Sequence, residues 1–141
     1  MRRLILKLLV ITGMLVMLVV PAAAKTMQQD QLIFQAESYL ELLDQDRYPD
    51  AWREMSTLFH ALGNQDLWLS RQKLIRSAYG PLAARQFYRL DYRQSFNLSP
   101  DGLYVIVQFK SSYQHKAETT ETVVLDCRSA PDCSIREYVI H

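Results

Sequence analysis

Two arginines bracket a sharp change of pattern in this chain. Arg76 and Arg85 stand on either side of Gly80-Pro81. A guanidinium is a planar fork that grips a carboxylate or phosphate through two N–H bonds at once. Two roles fit the pair. They bind an anion or carboxylate ligand, or they pair with Glu121 and nearby carbonyls and so fix a helix on a sheet. The second role is the simpler expectation. Catalytic constellations are missing from the pattern. His60, His115 and His141 are scattered, with no H-x-x-x-H spacing and no serine in a nucleophile elbow, so neither a metal site nor a triad is expected. No phosphate loop or cofactor motif is present. Cys127 and Cys133 enclose five residues. Two thiolates without a histidine in their loop are too few for zinc, and the spacing excludes a C-x-x-C redox pair. In an oxidising compartment the pair reads as a structural disulfide.

The N-terminus supplies that compartment. Arg2, Arg3 and Lys7 form a positive region, Leu8 to Val20 is apolar apart from Thr12 and Gly13, and Pro21-Ala22-Ala23-Ala24 provides a breaker and small residues. This is the layout of a secretory signal peptide, residues 1–24, cleaved after Ala24. The alternative is an uncleaved anchor, since Leu4–Val20 reaches the lower limit of a membrane span. The remainder, residues 25–141, is long enough for one domain. It carries 13 Lys+Arg against 15 Asp+Glu, a net charge of −2. Such a balance lacks the basic field that nucleic-acid or anionic-membrane binding needs.

The elements that must position these side chains follow from periodicity. Leu32, Ala36, Tyr39, Leu40 and Leu43 recur at three- and four-residue intervals, which predicts a helix over Gln28–Gln45 with Glu37, Glu41 and Asp44 toward solvent. Tyr48-Pro49-Asp50 opens a second helix that Gly63-Asn64 ends, with Ala51, Trp52, Met55, Leu58, Phe59 and Leu62 as its broad apolar stripe. A third helix, Gln65–Tyr79, has the stripe Leu67/Trp68, Arg71, Leu74/Ile75 and Ala78. After Pro81 the period becomes two. Tyr88, Leu90 and Tyr92 alternate with Arg89, Asp91 and Arg93 in a first strand, and Asn97–Gly102 is a turn. Leu103–Lys110, Thr119–Asp126 and Ser134–Ile140 are three more strands, with Ser111–Lys116 as a polar bend. In the last strand Ile135, Glu137 and Val139 are expected opposite Arg136, Tyr138 and Ile140. The result is an α+β domain: three N-terminal helices packed on a four-stranded antiparallel meander.

These residues resemble a known exported bacterial family, domain of unknown function 4019. The likeness rests on Arg76-x-x-x-Gly80-x-x-x-x-Arg85 after a Trp-bearing helix, on Tyr48-x-x-x-Trp52, and on Asp101-Gly102-x-Tyr104-x-x-x-x-Phe109. Lys116, Glu121-Thr122-Val123 and Tyr138 complete it. It spans about Ala36 to Ile140. The resemblance implies a cone-like sheet of the cystatin or nuclear-transport-factor-like (NTF2-like) kind and no assigned activity. Where the family turns on Asp-Gly before a Trp, this chain has the Cys127–Cys133 loop and Ile135. Relatives of that superfold set an Asp and a Tyr in one pocket for proton abstraction. Asp91 and Tyr92 adjoin here, but alternation sends them to opposite faces.

The expected function is therefore a non-enzymatic periplasmic or secreted accessory domain. It would bind a protein partner or a small apolar ligand, without metal or cofactor. The alternatives are a small-pocket enzyme of isomerase or hydrolase type, and a signal-anchored envelope component.

Overall fold

A computed structural model describes residues 22–129 and 132–141. The apolar leader and the anchor alternative lie outside the described residues. The cleavage point after Ala24 falls within the first turn of α1, which spans Ala22–Asp44. Three further helices follow: α2 (Tyr48–Arg53), α3 (Thr57–Leu62) and α4 (Gln65–Tyr79). Four strands complete the order: β1 (Leu82–Arg93), β2 (Tyr104–Tyr113), β3 (Lys116–Asp126) and β4 (Ser134–Ile140). They form one antiparallel meander, β1-β2-β3-β4.

The expected second helix is two helices. At its middle the backbone leaves the helical ladder to bond β4: Ser56 N–H donates to Ile135 O (2.6 Å), and Ile135 N–H donates to Glu54 O (3.0 Å). These two bonds outcompete helix continuation across Met55. Ser56 then caps α3, its Oγ accepting from Phe59 N–H (3.3 Å).

α1 lies across one face of the sheet. Leu32, Ala36, Tyr39, Leu40 and Leu43 meet Val105, Val107 and Phe109 of β2, Val123 and Leu125 of β3, and Ile135 of β4. Most of these are wholly buried, so the space between helix and sheet is filled with side chains.

Two bulges correct the expected alternation. Phe87 pairs with Phe109 but Arg89 with Gln108, so Tyr88 is an extra residue. Tyr88 lies against Lys110 on the outer face, while Leu90 packs on the core, so the two do not share a face. In β4, Leu125 pairs with Ile135 and Val124 with Glu137, which makes Arg136 the extra residue. Ile135, Tyr138 and Ile140 therefore share the helix-covered face, opposite Glu137 and Val139.

The polar stretch Ser111–Lys116 is not a loose bend. Strand pairing runs to Tyr113–Lys116 and leaves only Gln114 and His115 as the turn. Their N–H groups donate to Pro81 O (3.0 Å) and Tyr79 O (2.9 Å). The turn is thus tied to the α4–β1 crossing. Gly80 at that crossing has φ 75°, a conformation side chains resist.

Candidate functional site

Four charged side chains converge where α1 and α4 end over the sheet. Asp44 closes α1, Arg76 is in the last turn of α4, Arg85 is near the start of β1, and Glu121 is in mid-β3. Arg85 and Glu121 face the helices because each pairs within the inner register, Arg85 with Ser111 and Glu121 with Phe109. Asp44 was expected in solvent. It lies four residues beyond Leu40, and that spacing turns it toward the buried stripe.

The geometry is closed. Arg85 Nε donates to Glu121 Oε2 (2.6 Å), and its Nη1 donates to Asp44 Oδ2 (2.6 Å). Arg76 Nη1 donates to Asp44 Oδ1 (2.6 Å) and to the Tyr113 hydroxyl (2.8 Å). Arg76 Nη2 reaches Tyr138 OH (3.0 Å) and, more distantly, Glu121 Oε1 (3.4 Å). Three hydroxyls finish the shell of Glu121: Ser111 Oγ (2.5 Å), Tyr113 OH (2.7 Å) and Tyr138 OH (2.9 Å) all donate to it. The Arg76 guanidinium also sits over the rings of Tyr113 and Tyr138, at 5.4 and 5.7 Å. Glu121 is 0% exposed and Arg76 8%.

Two positive and two negative charges cancel inside this site. Burial alone would raise the Glu121 carboxyl pKa. The hydrogen bond and charge of Arg85, with Ser111 and Tyr113, overcome burial and hold it below the usual carboxylate range. Arg85 is opposed by burial too, yet Asp44 and Glu121 raise its pKa. Burial pushes the Tyr113 and Tyr138 phenols up, and the Glu121 carboxylate adds to that. These shifts drive each group away from neutrality as a titration point. These contacts favour the ionised Glu121 carboxylate, the charged Arg85 guanidinium and the neutral Tyr113 and Tyr138 phenols.

The structure brings Arg76, Arg85 and Glu121 together and adds Asp44, Ser111, Tyr113 and Tyr138, which sequence reasoning did not assign to a site. A cleft of about 460 Å³ beside the cluster is lined by Asp44, Arg76, Gly80 and His115 among others. Two buried polar atoms at the α4 end of the site have no hydrogen-bond partner among the described residues, Arg76 Nε and Gln72 Oε1 one turn earlier. The three histidines do not converge. His60 Nε2 bonds Trp52 O (2.7 Å), His115 lies at the β2–β3 turn, and His141 pairs its backbone with Thr120. No group of three His, Cys, Asp or Glu among the described residues is arranged to hold a metal ion. No helix among them is long and apolar enough to cross a membrane.

Cys127 and Cys133 form a disulfide, with Cα atoms 4.3 Å apart. It closes the β3–β4 loop, and Gln35 Nε2 of α1 donates to Cys133 O (2.7 Å).

A helix-covered antiparallel sheet, pinned by a self-neutralised ionic cluster and one disulfide, defines a small α+β domain with a structural centre. Within that class the chain belongs to the family described as "Protein of unknown function (DUF4019)", whose model matches residues 35–132. No curated protein and no solved structure matches it.

Proposed function

We propose that this protein is a non-enzymatic accessory domain, exported to the bacterial periplasm, that binds a protein partner through the outward face of α4. The observation that carries the reading is an apolar helical stripe left in solvent. Leu67 and Leu74, seven residues apart, are 63% and 72% exposed. The buried face of α4 is instead Trp68, Leu69, Gln72, Ile75 and Arg76. The expected stripe Leu67/Trp68, Arg71, Leu74/Ile75 and Ala78 is split: Trp68 and Ile75 turn inward, while Leu67, Arg71, Leu74 and Ala78 face solvent. The ionic cluster rotates the helix, because Arg76 must reach Asp44 and Glu121. Leucines at this spacing with an arginine between them suit an amphipathic helix of another protein.

The packed core supports a partner over a small apolar ligand: the side chains where α1 meets β2 and β3 are almost wholly buried, and the cleft lined by Gln35, Tyr39, Leu42 and Ile135 is only about 210 Å³. In this reading the sheet is the wall of a cystatin-like or NTF2-like cone, packed solid. The closed charge cluster supports a non-catalytic role. Export is supported by the leader sequence and by the disulfide, which persists in oxidising compartments.

A photoreactive residue in place of Arg71 tests this in the producing cell, with Lys110 on the outer sheet face as control. One discrete adduct from position 71, absent at 110 and lost in L67E/L74E at unchanged melting temperature, is expected. No adduct at 71, or one indifferent to L67E/L74E, overturns the reading. Intact mass of the exported protein should place its N-terminus at Lys25. A retained leader would replace periplasmic release by anchoring.

A further inference from the structure

β1 is an edge of the sheet: it pairs with β2 on one side and with no other strand among the described residues. Exposed edges are templates for further pairing, and proteins commonly blunt them with charges and bulges. Both devices occur here, but the charges have an unusual order. Tyr88-Arg89-Leu90-Asp91-Tyr92 reads alike in both directions around Leu90, except that positive becomes negative. Arg89 and Asp91 lie on the outer face, 54% and 35% exposed, and pair with each other at 3.1 Å. Leu90 lies on the opposite, helix-covered face.

We infer that β1 is a self-recognition edge, and that two copies pair antiparallel about a twofold axis at Leu90. In that register Arg89 opposes Asp91 of the second copy, and Asp91 opposes Arg89 of the second copy. Leu90 meets its own equivalent on the core side. Two four-stranded sheets then join into one of eight. The neighbouring symmetric registers are disfavoured by charge. An axis at residue 89 sets Arg89 against itself. An axis at residue 91 sets Asp91 against itself and Arg89 against Arg93. Half-step registers would put inward side chains opposite outward ones. Like charges directly opposite destabilise a pair and unlike charges support it. The complementary charges thus select one register where they would otherwise block all pairing. The bulge at Tyr88 ends regular pairing on both sides, so the seam is short. Its affinity belongs with small interfaces, on the order of 10–100 μM.

The surface is separate from α4, so this inference stands or falls independently of the partner reading. Sedimentation velocity of the purified, oxidised protein tests it, from nanomolar to high micromolar concentration. Wild type should shift from monomer to dimer. R89E and D91K should each remain monomeric across the range, since each sets like charges opposite twice. R89E/D91K should dimerise again, because exchange of the two signs preserves the complementarity. An equimolar mixture of R89E and D91K should form mixed dimers, which the Arg89–Asp91 pair within one chain cannot explain. Melting temperatures of the variants confirm that each is folded. A monomeric wild type at all concentrations overturns the inference, as does a dimer that survives either single reversal.

Discussion

Glu121 is the residue on which the ionic cluster turns. It is fully buried, and five donors from four elements converge on it. Its removal leaves two guanidinium groups, Arg76 and Arg85, sharing the single carboxylate of Asp44. Glu121→Gln should lower stability by about 3–5 kcal/mol, the cost of orphaning one member of a buried pair, read from chemical denaturation. The pH dependence has a definite sign. A carboxylate whose folded pKa is depressed stabilises fully above its unfolded value, about 4.3. That contribution is lost as pH falls toward the lower folded value. Wild type should therefore weaken below about pH 4.3, and the Gln variant should lose that part of the slope. An unchanged acid limb in the variant would remove Glu121 from the account. Gln72 gives the opposite expectation. Its buried Oε1 has no partner among the described residues, so Gln72→Met should be neutral or stabilising by about 1 kcal/mol. A loss of more than that would mean that the oxygen is satisfied in solution.

At the scale of elements, the α4–β1 crossing and the β3–β4 loop are the two fastened joints. Gly80 has φ 75°, and a Cβ there would stand 2.7 Å from His115 Cδ2 and 3.2 Å from Gln114 Cβ. Gly80→Ala should cost about 1–3 kcal/mol for the backbone conformation alone. Adding His115→Ala should return only the part due to the clash. Full rescue by the second substitution would show that the turn, and not the backbone, sets the requirement. The disulfide closes a short loop, so Cys127→Ser should cost about 2 kcal/mol in the chain-entropy account. Two reactive thiols in the native oxidised protein would contradict the bond itself. Bulges explain why strand faces were only half legible. The sequence marks alternation, but an inserted residue such as Tyr88 or Arg136 resets its phase without changing composition. The break at Met55 was hidden for a related reason. Its cause is a pair of backbone bonds to Ile135, eighty residues away.

Across the whole molecule, the legible features were those with local causes. The switch of period at Pro81, the four strands and the disulfide spacing could be read from residues alone, while the pairing of Arg76 and Arg85 with Glu121 was one of two roles that the residue types allowed. Asp44 and the rotation of α4 could not, because a distant charge cluster decides them. Asp44 did leave one trace, its four-residue spacing from Leu40. The core gradient predicts how the domain opens. β2 and β3 contribute most of the fully buried side chains, whereas β1 carries exposed Phe87, Tyr88 and Tyr92. Native-state hydrogen exchange should find the slowest amides in β2 and β3 and the fastest sheet amides along β1. Uniform protection across all four strands would refute that gradient. The same charge cluster also constrains how this family can vary. No single member of Asp44, Arg76, Arg85 and Glu121 can be exchanged for a neutral residue without stranding another in the interior. The four positions should therefore be inherited as a block, or be replaced jointly by greasy side chains in lineages that dispense with them.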